Sequence, residues 1–213
     1  MQYFIKFIVP IIAARGPQHQ DMKERLEKVQ ANMSLTRKVL RFGKPFPLIK
    51  AIMDRFKQHQ KSPVRNILLR TISDISLILY FFSDHPLYFQ RIGFIKMDKA
   101  TVDFIDYWNN IYWLVECLLD IYCDLVDLHH LDKELGQLKA ALKGESTSGQ
   151  ADIKAKIKEL SLKKFALILN IIRSSVDVPV IFHFMGSPRF SSGFAGFCGT
   201  ISSSISLYNL WGK

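Results

Sequence analysis

Hydrophobic positions recur along much of this chain at the three- and four-residue steps of a helix. Residues 18–41 place Met22, Leu26, Val29 and Met33 on one face, with Lys23, Arg25 and Lys28 on the other. Gly43 and Pro45 punctuate the stretch. A second amphipathic segment, Phe46 to Phe56, gathers Ile49, Ile52, Met53 and Phe56, and keeps Lys50, Arg55 and Lys57 apart from them. Residues 63–95 hold the uncharged run Ile75–Phe82, which predicts a buried helix ended by Ser83-Asp84-His85-Pro86. Residues 98–142 form the longest helical pattern, closing on a heptad-like seam of Leu128, Leu131, Leu135, Leu138 and Leu142. Its other faces are acidic, and the reading pairs it with the basic N-terminal helices, within one chain or between chains.

Residues 143–151 are polar and Gly/Ser-rich, and read as a linker. A basic helical stretch, 152–164, then leads into the apolar run 165–185, whose only charges are Arg173 and Asp177. Four residues apart, these two share a helical face. They read as an intramembrane charge pair with a further partner expected on another helix, and Pro179 is expected to kink the segment. Phe190–Gly212 carries no charged residue and is flanked by Arg189 and Lys213. Its 23 positions would span about 34 Å as a helix, against a hydrocarbon core of about 30 Å. Ridges of small residues that include Gly196, Gly199, Thr200 and Ser203 read as helix-packing positions suited to self-association. Tyr208 and Trp211 fall where an interfacial belt would lie. Tyr3–Ala14 is too short to span a bilayer, and reads equally as an interfacial anchor or as the end of a core helix.

Composition sharpens this picture. The 213 residues are 48% hydrophobic, yet carry a formal net charge of +10. Charge is segregated: residues 1–70 hold +11, residues 71–142 hold −6 and residues 143–213 hold +5. A greasy and basic chain suits an anionic phospholipid membrane. Nucleic acid is set aside, because no exposed aromatics interleave with the basic residues. Three cysteines, Cys117, Cys123 and Cys198, make neither a disulfide framework nor a zinc spacing. No catalytic constellation is visible. Thr200-Ile-Ser202 is not a nucleophile elbow, and the adjacent His129 and His130 point different ways on a helix. The chain therefore reads as a non-enzyme that needs no cofactor or metal.

Three motifs together resemble the peroxin-11 family of peroxisomal membrane proteins. Arg37-Lys38-Val39-Leu40-Arg41-Phe42-Gly43-Lys44 is similar to the family's basic motif. Arg173-Ser-Ser-Val-Asp177-Val-Pro179 is similar to its arginine-to-aspartate-proline segment. Gly196-Phe-Cys-Gly199-Thr-Ile-Ser202, continuing to Tyr208 and Trp211, resembles its C-terminal signature and is the most specific of the three. Family members usually carry a longer stretch ahead of the segment that Gln2-Tyr3 resembles.

The expected fold is all-α: a membrane-associated helical bundle with amphipathic N-terminal helices and a C-terminal transmembrane helix. Three regions are expected, at 1–142, 143–151 and 152–213. By resemblance, the protein lies in the peroxisomal membrane, promotes peroxisome elongation, proliferation and fission, forms homo-oligomers, and recruits a dynamin-related GTPase and its adaptor. The expected membrane-binding set is Met22, Leu26, Val29, Ile49, Ile52 and Phe56, with Arg37, Lys38, Arg41 and Lys44 drawn to headgroups. A metabolite pore and a soluble helical adaptor are the alternatives.

Overall fold

The computed structural model describes residues 1–14, 16–57, 64–144 and 150–211. Among them run seven α-helices: α1 (Gln2–Ala13), α2 (Gln20–Leu40), α3 (Pro45–Lys57), α4 (Val64–Arg91), α5 (Lys99–Gly144), α6 (Gln150–Phe184) and α7 (Ser192–Trp211). The all-α expectation holds. Most of the predicted linker at 143–151 lies outside the described residues, and the helices on either side of it, α5 and α6, pack together.

Local chemistry sets several ends. Asp98 caps α5, accepting from the Thr101 amide at 3.2 Å and the Thr101 hydroxyl at 2.6 Å. Both α4 and α6 stop at a left-handed glycine, Gly93 (φ +78°) and Gly186 (φ +81°). In each case the next amide folds back across the turn, Phe94 to the Phe89 carbonyl at 2.9 Å and Ser187 to Phe182 at 3.0 Å. One expected end is corrected. Helix α4 does not stop at Ser83–Pro86 but runs on to Arg91. Packing overrides the missing proline amide: Leu87 is buried, and Phe42 stacks on His85 at 4.1 Å.

The helices form a closed circuit of neighbours. Arg70 of α4 meets Asp124 and Asp127 of α5, while Asn109 of α5 meets Tyr80 and Ser83, so these two run antiparallel. Lys164 meets Asp132 and Arg173 meets Asp120, which sets α6 antiparallel to α5. Asn209 bonds Asn170 across the α6–α7 pair. Helix α1 lies antiparallel on α7, and α2 returns from α1 to α4. Within the chain the acidic faces of α5 are thus met by α4 and α6, and not by the N-terminal helices. Tyr3, Val180 and Cys198 make the apolar core, with Trp113 and Val176 against it.

The polarity of the circuit is inverted relative to a soluble bundle. On α4 the outward stripe is Leu68, Ile72, Ile75, Leu79 and Phe82, each at least 41% exposed. Its buried side includes Thr71, Ser73, Ser76, Tyr80 and Asp84. On α5, Phe104, Trp108, Leu118, Tyr122 and Leu125 face out, while Asn109, Asn110, Glu116 and Asp124 face in. Water does not favour such a surface at this extent; lipid does. By length and composition, Asn66–Arg91 and Gln150–Phe184 are the two described helices able to cross a membrane. Their lengths, 26 and 35 residues, correspond to about 39 Å and about 52 Å. Helix α7, expected as the span, is present with 20 residues and no charged side chain, but its serines and glycines keep its most apolar stretch short of those in the other two.

Candidate functional site

The basic motif at the C-terminal end of α2 turns Lys38 and Arg41 inward. Lys38 and Arg41 lie three apart, so on one face of the helix. Both reach Asp84, one acid on α4 that is 1% exposed. Arg41 also donates to the Tyr80 hydroxyl at 2.7 Å, four residues before Asp84. The neighbouring residues lock as well, with Phe42 stacked on His85 and edge-on to Tyr88 and Phe89. Arg37 lies over the Tyr3 ring at 4.7 Å, and the Lys44 ammonium lies over Phe81 at 5.8 Å.

The two cations on Asp84 are not equivalent. Burial lowers the Lys38 ammonium pKa more than Asp84 raises it, with Arg91 and Arg41 adding to the fall. Burial lowers Arg41 too, but Tyr80 and Asp84 outweigh it and the net shift is upward. Lys44 is lowered, by burial first and then by Arg41, Arg173 and Arg37. Of the four charges expected at headgroups, Lys38 and Arg41 thus share a buried carboxylate and Arg37 lies over a ring, while Lys44 stays exposed. Asp84 was read from sequence only as a helix end. The missed signal was an acid standing four residues after Tyr80 behind a long apolar run, where a charge needs a partner.

The expected apolar membrane-binding positions are mostly open. Met22, Val29, Ile49 and Phe56 are exposed, while Leu26 and Ile52 are half-buried. Helix α3 is held to α4 by Arg55, which bonds Asp74 at 2.6 Å. Exposed Lys50 has no ion-pair partner among the described residues, while exposed Lys57 lies 3.9 Å from Asp54 of the same helix.

Arg173 finds the expected partner on another helix, Asp120 of α5 at 3.8 Å. Asp177 is buried, with the Ser202 hydroxyl of α7 against its carboxylate. The small residues of α7 do pack a helix, but it is α1 of the same chain. A Cβ on Gly196 would stand 2.5 Å from the Phe7 amide nitrogen, and one on Gly199 would stand 2.4 Å from the Tyr3 ring. Thr200 turns its hydroxyl back to the Gly196 carbonyl at 2.8 Å, and Ser203 is exposed. The N-terminal segment accordingly behaves as a core helix, with Tyr3, Ile5 and Lys6 buried.

Two cavities flank this centre. One, of about 320 Å³, is lined by α1, α2, α4, α5 and Phe184 of α6 and touches Arg37, Lys38, Arg41 and Asp84. The second, of about 400 Å³, reaches Lys44, Glu116 and Arg173. Arg41, Tyr80 and Trp113 line both.

A sequence model of the family Peroxisomal biogenesis factor 11 matches residues 1–211. The chain belongs to the Peroxisomal biogenesis factor 11 family. A curated relative, "Peroxisomal membrane protein 11 homolog" of Dictyostelium discoideum, is 24% identical over 228 residues, covering 100% of this chain and 87% of the relative. No solved structure matches. The place of this family member is the peroxisomal membrane.

Proposed function

We propose that this protein elongates and divides peroxisomes by remodelling their membrane. The observation that carries the reading is helix α3. Its Phe46, Ile49, Met53 and Phe56 are between 42% and 71% exposed, beside exposed Lys50 and Lys57, while Arg55 ties the helix to α4. In this reading α4 and α6 cross the bilayer and α3, with the open face of α2, wedges into one leaflet. Each large side chain buried there contributes about 1.5–3 kcal/mol, and each lysine near anionic lipid about 1 kcal/mol. Self-association and recruitment of a dynamin-related GTPase with its adaptor belong to the proposal through the family resemblance. Since α1 occupies the glycine ridge of α7, oligomers must use another face.

The test is tubulation of anionic liposomes by the full chain. Ile49→Glu with Met53→Glu alters two exposed positions and is expected to abolish tubulation while the protein stays folded and inserted. Normal tubulation by that variant would sink the wedge. A second reading, a pore for small metabolites, draws on the two cavities that meet at Arg41, Tyr80 and Trp113. Its test is planar-bilayer conductance that falls in Arg173→Ala; absence of any conductance removes it.

A further inference from the structure

The cavity of about 320 Å³ holds more positive charge than its own carboxylates neutralise. Lys6, Arg37, Lys38, Arg41 and Arg91 line it, against Glu27, Asp84 and Asp106, leaving an excess of two. Asp84 is already shared by Lys38 and Arg41. Lys6 is 8% exposed, and among the described residues no carboxylate lies within ion-pairing distance of it. Its contact is the Phe184 ring, 4.2 Å from the ammonium. Arg37 likewise has no acid, and its buried Nε has no hydrogen-bond partner. Gln2 points a buried and equally unpartnered amide oxygen from the same wall. Burying unpaired cations side by side is costly, and a site that keeps them is built for an anion.

The size lies at the lower end of small-ligand sites, which run from about 300 to 1,000 Å³. A phosphomonoester carries close to two negative charges at neutral pH and offers oxygens matched to a guanidinium fork. We propose that this cavity binds a phosphomonoester group, carried by a lipid headgroup or by a free phosphate. The site is separate from the outward wedge of α2 and α3 and does not depend on it. Gln2 completes it, its amide either accepting from a protonated phosphate oxygen or, turned over, donating to an unprotonated one.

The experiment uses the full chain with two probes. Inorganic phosphate is titrated calorimetrically into protein in neutral detergent. Phosphatidylcholine nanodiscs carrying the protein are compared with and without phosphatidic acid, with phosphatidylserine as an anionic lipid lacking a phosphomonoester. Saturable binding of phosphate, or thermal stabilisation by phosphatidic acid beyond that by phosphatidylserine, is expected. The first alone assigns the site to free phosphates and the second alone to a headgroup. Lys6→Gln with Arg37→Gln is expected to weaken binding at least tenfold, or about 1.4 kcal/mol. Ala31→Trp fills the cavity from its exposed rim without changing any charge, and is expected to do the same; it decides the matter if the double variant does not fold. Lys154→Gln with Lys158→Gln, exposed on α6 and away from both the cavity and the wedge, is expected to leave binding intact. No response to either probe overturns the proposal. So does binding that survives both cavity variants, or that is lost only with the α6 lysines.

Discussion

Asp84→Asn is the sharpest perturbation of this fold. The substitution keeps shape and removes one charge from a site that is 1% exposed. It strands Lys38 and Arg41, whose side chains are 11% and 19% exposed, without a counterion. Breaking a buried ion pair from one side costs about 3–5 kcal/mol, because the remaining charge stays desolvated. Here two charges remain, in a cavity that already holds Lys6 and Arg37. For a chain of this size each kcal/mol lowers the thermal midpoint by about 2–4 °C, so the loss expected is about 6–20 °C. The assay is thermal unfolding of the full chain in detergent, followed by far-ultraviolet circular dichroism. Asp84→Leu combined with Lys38→Met and Arg41→Met is expected to recover most of the loss, since it replaces the charges by apolar groups of similar bulk. Among single variants, Arg41→Met is expected to cost more than Lys38→Met, because Arg41 also loses Tyr80. A loss under about 1 kcal/mol in Asp84→Asn, with no recovery in the triple variant, would refute the ion-pair reasoning.

Other outcomes follow from the same geometry. Gly196→Ala is expected to destabilise by about 1–3 kcal/mol, since its Cβ would meet the Phe7 backbone, which cannot step aside. Gly136→Ala, with nothing within 4 Å, is expected to stabilise by up to about 1 kcal/mol in the same unfolding assay. Burial and then Arg37 lower the Lys6 ammonium to about 8 from 10.5. The unfolded chain therefore binds the proton more tightly, so the penalty is complete below pH 8 and fades as pH rises from about 8 to 10.5. Lys6→Met is expected to raise stability at pH 7 by about 1–2 kcal/mol after solvent screening, and by less at pH 10. Equal gains at both values would count against it. Arg70→Met is expected to lower the midpoint, as Asp124 and Asp127 lose the cation that bridges them.

Helix spacing was the most legible layer. The steps that placed Met22, Leu26, Val29 and Met33 on one face predicted α2, and the charge-free stretch before Trp211 predicted α7. Spacing does not say which face turns inward. The apolar stripe of α4 was read as core, yet Leu68, Ile72, Ile75, Leu79 and Phe82 look outward and the hydroxyls and Asp84 look in. In a membrane protein the hydrophobic stripe meets lipid and the polar one meets neighbouring helices, so the inference reverses. The basic motif shows a related limit. Arg37, Lys38, Arg41 and Lys44 looked like a surface patch while their counter-groups were unknown, and Asp84, the group that turns two of them inward, lies more than forty positions away. The Gly196–Gly199 spacing did announce a close approach. Only the fold says that the approaching helix is α1.

The inward motif bears on the proposed mechanism through attachment. A wedge bends a leaflet only if it is held at a fixed depth; a helix on a loose tether sinks or swings to relieve its own strain. Helix α2 has no buried residue along its length. Its anchorage is concentrated at the C-terminal end, where Lys38 and Arg41 close on Asp84 and Phe42 closes on His85. Helix α3 then leaves that point and is fixed again by Arg55 on Asp74, about three turns away along α4. Two acids of the same outward-apolar helix thus hold the chain at the start and near the end of α3. Ion pairs shielded from water serve this better than apolar contacts would, since they are directional and strengthen as the local dielectric falls. On this reasoning Asp84→Asn impairs liposome tubulation even under conditions where the bundle stays folded. The apolar wedge residues would all still be present, and only their fixed position would be lost.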